Sequence, residues 1–202
     1  MKVKKFIFGL FETNTYVASD EKGNALLIDP ACMREYEQQA LLRYIETEGL
    51  NVCAIVATHG HLDHLWGAKW ATERWALPVL MHEADFPMAE AMQQQYAMFG
   101  IRKTADSFPI EPLNSQSSIF NLPSSIIETP GHTPGSICLY FPEEKTLFSG
   151  DTLFQNGFGR TDLPGGNMGQ LICSLEHLFT LPNNVLVYPG HGEKTTIGAE
   201  KR

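Results

Sequence analysis

The chain has only four cysteines in 202 residues, Cys32, Cys53, Cys138 and Cys173, and no Cys-x-x-Cys pair. Cysteines so few and so scattered exclude a disulfide framework. Cys53 and Cys138 fall inside apolar runs and read as small buried residues. Long hydrophobic runs are missing as well, so no segment is expected to span a bilayer. The opening Met1–Phe11 imitates a signal peptide, but its apolar run is short and no small-residue cleavage site follows. It reads as a first strand. Basic residues are scarce: 15 Lys and Arg against 23 Asp and Glu give a net charge of −8 with His neutral. A nucleic-acid partner, which asks for a basic face, is excluded on that ground. Linker-like stretches are also absent, so residues 1–202 read as one domain, expected in the cytoplasm.

What is present is an ordinary globular composition, 43% apolar and 19% charged, with room for a substantial core. Strands are expected at Val3–Phe8, Thr15–Ala18 and Ala25–Ile28, and Val52–Ala57 reads as a strand buried on both faces. A helix is expected from Arg34 to Glu48, with Tyr36, Ala40, Leu41, Tyr44 and Ile45 inward and Gly49 as its stop. Further helices are expected at Leu65–Leu77 and Glu83–Phe99, around a strand at Pro78–Met81. Residues 100–120 read as irregular. The strand pattern returns at Ser125–Glu128, Ile137–Phe141, Thr146–Phe148 and Val185–Tyr188, with a Gly-rich loop at 151–166 and a helix at Met168–Phe179. Strands, helix and strand into a loop, twice over, suggest an α/β fold of two sheets packed face to face with helices outside.

Seven histidines are present, and five sit in three places. Thr58-His59-Gly60-His61-Leu62-Asp63-His64 holds three, Pro130-Gly131-His132-Thr133-Pro134-Gly135 one, and Pro189-Gly190-His191-Gly192 one; Ser149-Gly150-Asp151-Thr152 adds a carboxylate. Each follows an expected strand, and strand ends on one sheet edge converge. His59, His61 and Asp63 alternate, so an extended turn would project them together. Imidazoles and carboxylates in glycine-rich turns are the ligand set of zinc and similar divalent cations. Seven ligands are too many for one four-coordinate ion and suit two, with Asp151 able to bridge. Two divalent cations, these two aspartates and a hydroxide leave a site of roughly +1, suited to stabilising an oxyanion or a departing anion. Structural zinc sites are closed, so the open set points to catalysis.

At these residues the chain resembles the metallo-β-lactamase superfamily. His-x-His-x-Asp-His stands as His59, His61, Asp63 and His64, followed in order by His132, Asp151 and His191. The resemblance covers nearly the whole chain, including Asn14-Thr15-Tyr16 and Leu27-Ile28-Asp29-Pro30, and implies a four-layer αββα sandwich with two mixed β-sheets. It implies one metal on His59, His61 and His132 and a second on Asp63, His64 and His191, with Asp151 and a hydroxide bridging them. Two divalent ions are implied, zinc first, with iron or manganese as the other choices. Ser149-Gly150-Asp151-Thr152-Leu153-Phe154 and Gly159-Arg160-Thr161-Asp162 are most similar to the glyoxalase II-like branch, whose members hydrolyse glutathione thioesters such as S-lactoylglutathione. True β-lactamases often carry cysteine where Asp151 stands, which disfavours antibiotic hydrolysis. The glutathione-specific enzymes continue into a C-terminal helical region that this chain, ending at Arg202, is expected to lack.

The resemblance therefore implies a hydrolase of a small-molecule thioester or ester, with Asp63 orienting the nucleophile and Asp151 holding both metals. A lactone or ester hydrolase and a mono-iron persulfide dioxygenase, which shares Gly-Arg-Thr-Asp, are the alternatives. Arg160 could hold a substrate carboxylate or pair internally with Asp162. Asp29 could bond the histidine loop or cap a helix. Met81, Met88, Met92 and Met98 could line an adaptable pocket or pack the core. His82, His177 and the three tryptophans read as surface or packing residues. The acyl group, the thiol carrier and the oligomeric state are left open.

Overall fold

The computed structural model describes residues 1–115 and 124–201. Strands β1 (Lys2–Phe8), β2 (Thr13–Ser19) and β3 (Asn24–Ile28) form an antiparallel meander. After helix α1 (Glu35–Thr47) the chain re-enters the sheet as β4 (Asn51–Val56), parallel to β3. Helices α2 (Leu62–Leu65) and α3 (Ala68–Trp75) lead to β5 (Val79–Met81), and α4 (Phe86–Glu90) and α5 (Met92–Met98) to β6 (Ile110–Pro112), both parallel additions. The second sheet contains β7 (Ser125–Glu128), β8 (Ile137–Phe141), β9 (Thr146–Gly150), β12 (Leu186–Pro189) and β13 (Thr195–Thr196), in the order β13-β12-β9-β8-β7. Only β9 and β12 run parallel there. A small hairpin, β10 (Leu153–Phe154) with β11 (Gly157–Phe158), precedes α6 (Met168–Leu178), and α7 (Ile197–Glu200) closes the described chain.

Three apolar layers show how the sheets stack. Tyr16, Ala18, Leu26, Ile28, Ala54 and Val56 of the first sheet meet Ile126, Ile137, Leu139, Phe141 and Phe148 of the second. Val17, Leu27 and Ile55 point the other way, onto Leu41 and Ile45 of α1 and Ala68 and Ala71 of α3. On the far side Cys138, Leu147 and Val187 lie under Leu171, Leu175 and Leu178 of α6. Alternate residues of a strand face opposite sides, so two-sided burial yields the expected α/β arrangement, a four-layer αββα sandwich. Each fully buried Leu, Ile or Phe contributes about 1.5–3 kcal/mol, so these layers, not loop hydrogen bonds, supply most of the scaffold's stability.

Several expectations need correction. Cys53 is exposed: Ala25 pairs with Val52 and Leu26 with Ala54, leaving Cys53 as the unpaired residue of a bulge. The bulge also flips parity, so Val52 joins the outer layer and Ala54 the inner one. On α1, Tyr36 and Ala40 face solvent and Glu37 faces in. The Glu37 carboxylate accepts from the backbone N–H groups of Gly9, Met33 and Arg34 at 3.1, 2.7 and 2.8 Å, which satisfies a buried acid. The helix expected from Glu83 to Phe99 is a 3-10 turn at Glu83–Asp85 followed by α4 and α5, broken at Ala91 (ψ 19°). The region read as irregular contains β6, and its residues 116–120 lie outside the described chain. Met81 and Met92 pack in the core. Among the described residues no helix is long and apolar enough to cross a membrane.

Candidate metal centre

The strand ends deliver the seven side chains to one edge. β4 runs through Ala57 and Thr58 into His59, β7 leads to His132, and β9 ends one residue before Asp151. Because β12 lies parallel to β9, with Pro189 opposite Gly150, His191 emerges beside Asp151. The edge is also where the two sheets are tied together. Asn14 N–H donates to the Gly190 carbonyl at 2.7 Å, the Tyr16 hydroxyl to the Pro189 carbonyl at 2.7 Å, and Thr13 bridges to His191. Two glycines are required by the geometry. Gly150 turns the chain at φ 48°, and a Cβ at Gly190 would strike Asp151 Oδ1 and His64 Cε1.

All seven expected residues meet, though not through an extended turn. His61 caps α2, and Asp63 and His64 project from its single turn of helix. One ligand atom from each of His59, His61 and His132 falls within 4.8 Å of the others, and the same holds for His59, His64 and Asp151, and for Asp63, His64 and His191. His61 Nδ1 is 2.9 Å from His132 Nε2. His191 Nε2 stands 3.2 Å from Asp63 Oδ2 and 3.5 Å from Asp151 Oδ2, and His64 Nε2 stands 3.4 Å from Asp151 Oδ1.

The outer nitrogens are fixed one by one. His132 Nδ1 bonds the Arg160 carbonyl at 2.7 Å, and His191 Nδ1 the Phe11 carbonyl at 3.0 Å. His59 Nδ1 lies 3.1 Å from the Thr58 hydroxyl, and His64 Nδ1 lies 3.0 Å from Asp29 Oδ2, within ion-pair reach but without hydrogen-bond geometry. An acceptor on one ring nitrogen places the proton there and leaves the other lone pair free. Asp29, at φ 51°, also accepts from Thr58 N–H at 2.7 Å and from the Thr58 hydroxyl at 2.8 Å. It bonds the histidine loop rather than capping a helix.

The donor set fits divalent cations. His59 Nε2, His64 Nε2 and Asp151 Oδ1 are buried with no hydrogen-bond partner, a costly arrangement unless something else occupies them. Burial, then the neighbouring imidazoles, hold His59 well below the ordinary imidazole value and bring His61 down to about 4. Burial alone would raise Asp63 and Asp151, but His64 and His191 outweigh it and hold both below the usual carboxylate range. Burial opposes a charge on His64, yet Asp63, Asp29 and Asp151 carry it well above its ordinary value. A neutral imidazole and an ionised carboxylate are the forms that ligate.

Two supports had no sequence signal. Asp85, fully buried, accepts from Gly60 N–H at 2.8 Å, the Thr133 hydroxyl at 2.6 Å and Gly135 N–H at 2.6 Å, clasping the His61 and His132 loops together. Gln95 accepts from Leu62 N–H at 2.9 Å and donates to the carbonyls of Gly60 at 3.0 Å and Met88 at 2.8 Å. Thr13 adds a 2.8 Å bond to Asp63 Oδ2.

A cleft of about 190 Å³ opens over His61, Asp63, His132, Asp151 and His191, walled by Phe11, Leu62, Phe99 and Leu163. Arg160 reaches its rim, but its guanidinium is paired with Asp162 at 2.6 and 2.7 Å, holding that acid down to about 2. His177 is exposed and half-buried His82 accepts from Ala84 N–H, so neither joins the site.

Residues 8–191 match the family model described as the metallo-beta-lactamase superfamily. The chain is 36% identical to hydroxyacylglutathione hydrolase GloC of Haemophilus influenzae, over 95% of this chain and 91% of that one. It is 36% identical, with a TM-score of 0.88, to TTHA1623, crystallised in a di-iron-bound form, over 98% of this chain and 97% of that one. The BLEG-1 B3 metallo-beta-lactamase superposes equally well, TM-score 0.88, at 32% identity over 98% of this chain and 96% of that one.

Proposed function

The chain belongs to the metallo-beta-lactamase superfamily, and from that premise we propose that it is a binuclear thioester hydrolase of the cytoplasm. Its substrate would be an S-acyl glutathione, such as S-lactoylglutathione, or a related small thioester. One observation carries this reading: three buried ligand atoms without hydrogen-bond partners face into a cage of five imidazoles and two carboxylates. His59, His61 and His132 would hold one cation, Asp63, His64 and His191 the other, and Asp151 both. Four free cysteines suit a reducing compartment. The name of the Haemophilus relative supports glutathione thioesters, and the match spans nearly all of that protein, so a long C-terminal region is not a condition for it.

Divalent cations, zinc or the iron of TTHA1623, supply water ionised near pH 7 and a Lewis acid for the carbonyl. The chain's own residues do the rest. Asp63, fixed by the Thr13 hydroxyl, accepts a hydrogen bond from the attacking water and aims it. The Arg160 and Phe11 carbonyls hold the Nδ1 protons of His132 and His191, which leaves each Nε2 lone pair for a cation. A thiol of pKa about 8.5 leaves as thiolate without a strong acid, consistent with a site that offers no separate acid–base dyad. The apolar walls limit water around the carbonyl.

A β-lactam hydrolase is the second reading, favoured by the likeness to BLEG-1. Elemental analysis should give two metals per chain, with turnover faster on S-lactoylglutathione than on an acyl lactone or a β-lactam. Asp151→Ala should abolish both metal occupancy and turnover. Unchanged turnover in that variant, or one iron per chain with oxygen consumption, rejects the scheme.

A further inference from the structure

Beside the main cleft lies a recess of about 50 Å³, lined by Met88, Met98, Phe99, Leu163 and Pro164 and reached past His61 and Gln95. His61, Gln95, Phe99 and Leu163 border both spaces, so the recess continues the reaction site rather than standing apart from it. Its polarity is one-sided. The Gln95 amide spends both N–H donors on the Gly60 and Met88 carbonyls and accepts from Leu62 N–H, so it has no donor left for a ligand. Among the described residues bordering cleft and recess, Arg160 is the one cation, and Asp162 occupies its fork. One wall is preset: Gly166 N–H donates to the Leu163 carbonyl at 2.9 Å, closing the turn that presents Leu163 and Pro164. The other wall carries two methionines, whose unbranched chains adjust to small differences in shape.

We propose that this recess binds the acyl side of the substrate, and that the preferred acyl group is a short, uncharged alkyl chain rather than a hydroxyacyl one. Size decides which side enters. A thiol carrier is too large for about 50 Å³ and must leave through the cleft of about 190 Å³, whereas a chain of a few carbons fills the smaller space. A hydroxyl on that chain would be desolvated against Met88, Met98, Phe99 and Leu163, with no Gln95 N–H free to meet it, which costs binding.

This inference rests on the hydrolase reading, and the experiment separates the two. Thioesters of one neutral thiol, N-acetylcysteamine, with acetyl, propanoyl, butanoyl, hexanoyl and lactoyl groups are assayed with the metal-loaded full chain. We expect kcat/KM to climb about fourfold per added methylene until the recess fills, since each buried CH2 contributes that factor. Propanoyl should exceed lactoyl. Leu163→Trp should collapse the butanoyl-to-acetyl ratio at unchanged metal content. Calorimetry should show butanoate binding more tightly than lactate, a readout independent of turnover. A flat chain-length profile, or lactoyl outrunning propanoyl, overturns this inference and leaves the hydrolase reading standing. No hydrolysis of any thioester or matched oxygen ester overturns both.

Discussion

Replacing Asp85 by Asn tests whether two metal-facing loops depend on one buried carboxylate. Oδ2 takes Gly60 N–H at 2.8 Å and the Thr133 hydroxyl at 2.6 Å, and Oδ1 takes Gly135 N–H at 2.6 Å. The amide is the same size, but its nitrogen must face a donor wherever it sits. The least costly placement puts nitrogen against Gly135 N–H, losing a charge-assisted bond of about 1.5–3 kcal/mol. The two remaining bonds become neutral and about half as strong, so the total loss is roughly 3–6 kcal/mol. In a chain of this size that lowers Tm by on the order of 10 °C. The loops carrying His61 and His132 then lose their shared anchor, and metal affinity should fall about 10–100-fold, as for other groups that orient ligands. Thermal unfolding and competitive metal titration read the two effects. Asp106→Asn, which removes surface ion pairs with Lys103 and Lys69, should shift Tm by less than about 4 °C. Asp85→Asn behaving like that control, with metal affinity intact, would refute the reasoning.

Gly190→Ala places a methyl against Asp151 Oδ1 and His64 Cε1, so metal content by elemental analysis should drop by at least half; full occupancy would mean the His191 loop can retreat. Tyr16→Phe removes one of two donors to the Pro189 carbonyl, the other being Asn14 Nδ2 at 2.9 Å. Since the acceptor stays satisfied, the cost should be only about 0.5–1.5 kcal/mol, visible as a Tm lower by roughly 1–6 °C. Burial pushes the thiols of Cys32 and Cys138 up to about 12 and about 11, while Cys53 and Cys173 are exposed. A disulfide reagent at pH 8 should therefore titrate two thiols in the native protein and four in denaturant, with fast reaction of three or more counting against the packing described. Both shifts are upward, so the unfolded thiols ionise first and stability should decline above about pH 8.5, where unperturbed thiols titrate.

The residues that face the centre were legible in the chain because metal chemistry dictates residue type. His59, His61, Asp63, His64, His132, Asp151 and His191 announce themselves, and the strands that carry them show in their apolar runs. Residues that act on backbone were not legible. Asp85 and Gln95 serve N–H and C=O groups in other loops, and nothing in an aspartate or glutamine specifies which backbone it will meet. Glu37 displaced Tyr36 from the inner face of α1 for the same reason: three unpaired N–H groups outweighed one aromatic ring. The bulge at Cys53 was hidden because a continuous apolar run keeps its pattern when parity flips. Arg160 matters through its carbonyl on His132, an atom every residue type shares.

Two buried carboxylates behind the ligands also revise the charge of the centre. Counting Asp63 and Asp151 alone, the two divalent cations proposed above and a hydroxide would leave roughly +1. Asp29 and Asp85 are both buried against the same loops, and each brings a further negative charge, taking the sum to about −1. In a protein of net charge −8, such a centre would exert little long-range pull on an anion, even though the proposed cations would polarise a carbonyl at contact. Binding energy must then come from short-range burial, and the groups placed to supply it are Phe11, Phe99 and Leu163 with the methionines beside them. A neutral thioester that buries its acyl chain there meets both conditions. An anion held only by Arg160 must first break the guanidinium's bonds to Asp162.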